Sequence, residues 1–382
     1  MSLPKIPAAA DLNNENCSCG EECCGGTAGG TSADRRGSFV KAAPYMTGRI
    51  STPAGEIPVV SSRLGFRDRW GTFRTRWGIG RSRYAIAPGL YALGAPDAWS
   101  PVFVTANYKM SFDRLRAASS GLNAWLMVLD TRGINVWCAA GKGSFGTNEV
   151  GCRVEATGLK KIVSHRTLIL PQLGAPGVSA PEVAKRTGFR VLFGPIRAAD
   201  LKAFLDAGMN ATPQMRRVRF SFKDRITLVP IEISGIVRNK YFLAGFLLWL
   251  VATVLGAREI RLMGLALAGA IFTGSVLTPA LLPWIPGRMF AAKGGILGFI
   301  WAAVICALRG FPPAGTAGYA AAAAYLLVLP PLSAFLAMNF TGSSTFTSLS
   351  GVVAEMKTSI PLMLLSSGFG LAAAVASFLL KG

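Results

Sequence analysis

Apolar and polar positions change their rhythm twice along this chain. From about residue 100 short apolar runs alternate with helical patterns. Val102–Thr105 and Ala124–Asp130 (AWLMVLD) predict buried strands, and Thr167–Leu170 and Arg190–Phe193 predict two more. Between them, Ser111 is placed to cap a helix through Asp113, Leu115 and Ala118. Another helix is expected near Cys138 or within Thr147–Glu155. Arg197–Ala207 carries Leu201, Phe204 and Leu205 on one face and stops at Gly208. Strands alternating with helices predict an α/β layer around a largely parallel sheet. Val218–Phe222 alternates apolar and polar, as a half-exposed strand does. Beyond residue 240 the rhythm gives way to long apolar runs: Tyr241–Gly256, Leu262–Leu282, Gly294–Leu308, Thr316–Met338 and Ile360–Leu380. Crossing the hydrocarbon takes about 20 apolar residues, so an all-α membrane domain of about five transmembrane helices is expected. The expected domains are a tail over 1–45, an α/β domain over 46–236 and the membrane domain over 237–382.

Composition strengthens the membrane reading. Of the 382 residues 51% are hydrophobic and only 15% charged, where soluble domains average about 25% charged. Net charge is +21. Seven of the 40 Lys/Arg and two of the 19 acidic residues lie in 241–382, a net of +5, which leaves +16 for residues 1–240. That excess suits anionic lipid head groups, a phosphate-bearing cofactor, an acidic protein or nucleic acid. Residues 63–83 concentrate it: Arg63, Arg67, Arg69, Arg74, Arg76, Arg81 and Arg83 are interleaved with Trp70, Trp77 and, just beyond, Tyr84. Such a stretch can clamp nucleic acid. No nucleic-acid module follows it, so a solvated or membrane-facing basic surface is expected instead. The spans contain almost no charge, which counts against a transporter. Lysines and arginines flanking the spans divide almost evenly and leave orientation open.

The seven cysteines (Cys17, Cys19, Cys23, Cys24, Cys138, Cys152 and Cys306) are odd in number and unevenly spaced, unlike a disulfide framework. With no apolar leader in Met1–Asp11, a cytoplasmic face of the inner membrane is expected for the α/β domain. Four thiols within Cys17–Cys24 could take a soft metal or be incidental to a Gly-rich tail, and a purely metal-binding protein remains an alternative. His165 has Val163 two residues before it and Leu168 three after. The Asp-x-His-x-x-Gly pattern of metal-ligating histidines is therefore missing, and a surface or structural role is expected.

Asn135-Val136-Trp137-Cys138-Ala139-Ala140-Gly141-Lys142-Gly143 carries the sharpest chemical signal. It follows the strand Ala124–Asp130 and a turn at Arg132-Gly133, at the carboxyl end where open α/β sheets place ligands. Ala139, Ala140 and Gly141 would let a large flat ligand come close, with Cys138 facing it as a potential metal ligand. A lone Cys beside Trp and Ala can equally be a small buried hydrophobe. Gly141-Lys142 is not a phosphate loop: Val136 stands where the Walker pattern needs its first Gly, and Gly143 where it needs Ser or Thr.

The nonapeptide resembles the signature of the HgcA family, the corrinoid proteins of microbial mercury methylation. The blocks Pro101–Asp113, Ser144–Glu149, Leu168–Ala180 and Phe189–Asp200 also resemble that family and the corrinoid subunit of the corrinoid iron–sulfur protein. The resemblance implies a Rossmann-like corrinoid-binding α/β domain followed by the membrane helices. It implies a cobalamin-type corrinoid with Cys138 as lower axial ligand of cobalt. Asn135, Val136, Trp137, Ala139, Ala140, Gly141 and Lys142 would form the cap around it, and Gln172 and Gly174 would touch the corrin edge. It implies methyl transfer from a methyl-folate-type donor through cobalt to Hg(II), giving methylmercury. The implied partner is a small HgcB-like ferredoxin with two 4Fe–4S clusters; no iron–sulfur cluster and no nucleic acid are expected on this chain. A corrinoid methyl carrier of one-carbon and acetyl-CoA metabolism is the alternative.

Overall fold

The computed structural model describes residues 43–254, 258–310, 312, 313, 315–343 and 349–380. Cys17, Cys19, Cys23 and Cys24 lie outside them. The strands are β1 (Met46–Thr52), β2 (Gly55–Val60), β3 (Gly89–Leu93), β4 (Val102–Ala106), β5 (Ala124–Leu129), β6 (Thr167–Pro171) and β7 (Arg190–Gly194). The helices of the first two hundred residues are α1 (Phe66–Arg76), α2 (Lys109–Ala118), α3 (Val136–Gly141), α4 (Thr147–Ala156), α5 (Ala180–Thr187) and α6 (Leu201–Asp206). After them come α7 (Phe222–Ile226), α8 (Val229–Val237), α9 (Lys240–Val254), α10 (Arg258–Phe272), α11 (Thr278–Leu281), α12 (Phe290–Gly310), α13 (Gly315–Asn339) and α14 (Leu349–Leu379). The chain divides into two compact units, one made of Met1–Arg63 with Ile86–Phe193 and the other of Leu64–Ala85 with Gly194–Gly382.

The first unit is a Rossmann-like α/β layer around a seven-stranded sheet of order β1-β2-β3-β5-β4-β6-β7. β4 pairs parallel with β5 (Val102 opposite Trp125) and with β6 (Val102 opposite Leu168). All five residues of β4 and all six of β5 are buried, as in a strand covered on both faces. The sheet is less parallel than expected. β3 runs antiparallel to β5, and β1–β2 form an antiparallel hairpin whose strand β2 pairs parallel with β3. The edge strand β1 lacks the apolar run that announced the central strands: it reads MTGRIST and is mostly exposed. α2 begins at Lys109 behind Tyr108, so Ser111 lies inside its first turn and does not cap it. Below that turn Asp113 accepts from Lys109 Nζ (2.7 Å) and Arg116 Nε (2.8 Å). Arg116, fully buried, also donates to the carbonyls of Ser61 (2.5 Å) and Arg63 (3.0 Å) and so ties the segment that follows β2 to α2.

In the second unit four helices are long and apolar enough to cross a membrane: Glu259–Leu281 (23 residues), Phe290–Gly310 (21), Gly315–Asn339 (25) and Gly351–Leu379 (29). The expected first span is a shorter apolar helix, Phe242–Val251. Five residues of π-helix, Thr273–Leu277, join α10 to α11. Small residues permit close packing against α13. A Cβ on Gly298 would lie 2.7 Å from Ser333 Cβ, and one on Gly294 2.5 Å from Ala337 Cβ. Val218–Phe222 is not a strand: Ser221 caps α7, its Oγ accepting from Asp224 N–H (3.4 Å). Of the hydroxyl-rich segment Asn339–Ser348, Phe340–Ser343 form a 3-10 turn and residues 344–348 lie outside the described residues.

Candidate corrinoid site

Parallel strands β4, β5 and β6 end on one edge of the sheet, and the segments leaving them build the site. From β5 the chain turns through Asp130–Asn135 into α3. Arg132 (φ 55°) and Gly133 (φ 70°) take left-handed conformations there, a strained choice for arginine. The turn holds because Asn107, just past the end of β4 and buried, lies beneath it. Its Oδ1 accepts from the backbone N–H of Thr131 (3.2 Å) and Gly133 (2.9 Å) and lies 2.8 Å from Thr131 Oγ1. Its Nδ2 donates to Asp130 Oδ1 (3.1 Å). Glu149 on α4 closes the other side by accepting from Asp130 N–H (2.8 Å). Asn107 was not singled out from the sequence. The signal was an amide following a buried strand, but its partners lie 23 to 26 residues downstream.

Asn135 is the N-cap of α3, its Oδ1 accepting from Cys138 N–H at 2.9 Å. It therefore holds the backbone of the cysteine. α3 then presents two faces. Val136, Ala139 and Ala140 are buried. Trp137, Cys138, Gly141 and Lys142 are exposed, and the thiol is free. Cys138 is therefore not a small buried hydrophobe.

β6 delivers the second wall, the 3-10 segment Gln172–Gly177. Gly177 lies so near the α3 turn that a Cβ would sit 2.3 Å from Phe145 O and 3.0 Å from Ala140 Cα. One on Gly174 would sit 2.5 Å from Phe145 Cε1. Two polar atoms in these adjoining segments, Gln172 Oε1 and Ser144 Oγ, are buried without hydrogen-bond partners. Buried polar atoms are seldom left so, and each suits a ligand carrying amide or hydroxyl groups.

His165 is structural: its Nε2 lies 2.8 Å from Ser100 O and its Nδ1 accepts from Thr167 N–H (3.3 Å). Cys152 is half-buried with Arg186 Nη2 at 3.4 Å from its sulfur, and Cys306 is buried in α12. Among the described residues no three His, Cys, Asp or Glu side chains come together. A metal at Cys138 would thus have to bring its other ligands, as a macrocycle does. An exposed thiol, small neighbours and unpaired polar atoms fit a corrinoid.

Comparison with known proteins leads to the same region. Residues 80–205 match the family described as CO dehydrogenase/acetyl-CoA synthase delta subunit. The chain is 33% identical over 117 residues to the acetyl-CoA decarbonylase/synthase complex subunit gamma of Archaeoglobus fulgidus, covering 30% of this chain and 24% of that protein. It is 34% identical over 118 residues to subunit gamma 2 of Methanosarcina thermophila, covering 30% and 25%. The chain thus spans about a quarter of the length of these curated relatives. The matched stretch runs from before β3 to α6 and includes Cys138; it ends ahead of the apolar helices.

Proposed function

We propose that this chain is a membrane-held corrinoid methyl carrier in which Cys138 is the protein's ligand to cobalt. One observation carries the proposal: a free, exposed thiol stands on a capped turn at the carboxyl edge of the sheet, beside unpaired buried polar atoms. When bound, the corrinoid would supply a cobalt that takes a methyl group from a donor of methyl-folate type and yields it to an acceptor. Asn107 and Asn135 set the height and direction of Cys138 through the turn and the cap. Val136, Ala139 and Ala140 anchor α3 in the core, and exposed Trp137, Gly141 and Lys142 border the ligand. Gln172 Oε1 and Ser144 Oγ offer hydrogen bonds to its amide side chains, and Gly174 keeps their segment close to Phe145. Cys138 would hold the cobalt through its sulfur, and a sulfur donor would make the metal electron-rich, which would suit transfer of a methyl group with its bonding pair to a soft electrophile.

Hg(II) is such an electrophile, and the nonapeptide Asn135–Gly143 together with the apolar helices supports it as acceptor. The second reading, a carrier serving acetyl-CoA metabolism, is supported by the names of the relatives. The proposal includes a small ferredoxin with two 4Fe–4S clusters as electron donor, attracted by the basic first 240 residues, and a cytoplasmic site.

The test is the ultraviolet–visible spectrum of the purified full chain reconstituted with cobalamin, wild type beside Cys138→Ala and Cys138→His. A bound corrinoid whose axial-ligand bands change in both variants supports the assignment; identical spectra sink it. Presenting the methyl-loaded protein with Hg(II) or with an acetyl-CoA synthase then separates the two acceptors.

A further inference from the structure

Helix α1 is inverted relative to an ordinary surface helix. Its buried side is small and polar: Asp68 and Thr75 are 8% and 1% exposed, and a Cβ on Gly71 would meet Tyr84 Oη at 2.4 Å. Its outer side is aromatic. Phe66, Trp70, Phe73 and Trp77 follow at spacings of four, three and four residues and so fall in one stripe. Their rings form a ridge, with centroid separations of 6.5, 5.4 and 6.3 Å. Phe66 is 80% exposed and Trp70 and Phe73 are 50% exposed. By helical angle, Arg67 and Arg74 fall along one border of this stripe and Arg69 and Arg76 along the other.

The same unit contains the four long apolar helices. Arg238 ties the end of α1 to the segment that leads into α9. Its guanidinium donates to Trp77 O (3.1 Å) and Gly78 O (3.0 Å), and two residues later Lys240 begins the apolar helix α9. The end of α1 is therefore held beside the residues from which the apolar helix α9 starts. Beside it a cavity of about 350 Å³ is lined by Phe73, Trp77, Phe222 and Ile226, with Arg76 and Lys223 among its walls.

We propose that α1 lies in the membrane surface and binds anionic phospholipid. The aromatic stripe enters the head-group boundary, the flanking arginines meet lipid phosphates, and the cavity takes an acyl chain below Arg76 and Lys223. Amphipathic helices with aromatic residues on one face and arginines beside them bind bilayers in this way. Water exposure of the three outermost rings, Phe66, Trp70 and Phe73, would otherwise be unfavourable.

The experiment uses the full chain in nanodiscs of phosphatidylcholine, alone or with a third of phosphatidylglycerol. Trp70→p-benzoyl-phenylalanine is photoactivated and its adducts are identified by mass spectrometry. The same substitution at Phe299, exposed on α12, serves as the span control. A phospholipid adduct at position 70, several-fold stronger with phosphatidylglycerol, is expected. Replacing Arg67, Arg69 and Arg74 by Gln should lower that yield by about tenfold or more, since each surface arginine adds up to about fivefold in binding to anionic membranes. An adduct with a second copy or another protein would overturn the proposal. So would an unlabelled position 70 while Phe299 reacts, or the failure of both positions. Equal yields in the two lipids would refute the anionic preference.

Discussion

Replacing Asn107 by Ala tests whether the turn beneath Cys138 is held from β4. The variant strips an acceptor from the N–H groups of Thr131 and Gly133, both in buried residues. The Thr131 hydroxyl keeps an alternative, since Ile134 O lies 2.7 Å away. Each orphaned buried donor costs about 1–3 kcal/mol, so two cost about 2–6 kcal/mol, with water entry pulling toward the lower part of that range. A value near 3 kcal/mol would raise the open population of the turn about a hundredfold. Hydrogen–deuterium exchange of the full chain reads this directly. The amides of residues 131–138 should exchange about a hundredfold faster, while those of β4, β5 and β6 keep their protection. Cobalamin affinity should fall in parallel if an ordered turn is needed to present Cys138. Unchanged exchange across 131–138 would refute the reasoning, because the strained Arg132–Gly133 conformation would then be held by something other than Asn107.

Asp113→Ala leaves Arg116 charged and fully buried, so it should destabilise the first unit by about 3–5 kcal/mol, read as earlier denaturant unfolding of β4–α2 peptides in pulsed exchange. A loss below about 1 kcal/mol would mean that water reaches the guanidinium. Gly177→Ala forces the Gln172–Gly177 segment away from α3 and should weaken cobalamin binding at least about tenfold while the sheet amides stay protected; equal affinity would show that the close approach is dispensable. Partial burial pushes the Asp224 carboxyl up, but hydrogen bonds from Ser221 and the guanidinium of Arg197 outweigh it and hold the group below its ordinary value. Its contribution is therefore present above the usual carboxylate value of about 4 and fades as pH falls through the lower folded value. Thermal midpoints in detergent should drop on acidification for the wild type and less for Asp224→Asn, and superimposable pH profiles would contradict the assignment.

The sequence by itself determined the features that rest on local pattern. β4, β5, β6 and β7 are short apolar runs that must be buried wherever they go, and they form within a residue or so of their expected limits. The long apolar helices follow from length and lack of charge, and the helix that carries Cys138 follows from the turn at Arg132-Gly133 after a buried strand. Other features depend on partners remote in sequence. β1 has no apolar run to betray it, and neither the apolar run of β3 (Leu90–Leu93) nor that of β5 specifies that the two pair antiparallel. Val218–Phe222 alternates like a strand, yet Ser221 caps α7 instead. Asn107 becomes a fastener because β4 and β5 end together, and Gly177 becomes essential only where it meets Ala140 and Phe145. Spacing alone predicts that Phe66, Trp70, Phe73 and Trp77 share a face. That this face points outward was decided by tertiary structure, since Asp68, Gly71 and Thr75 are the residues small and polar enough to pack inward beside Tyr84.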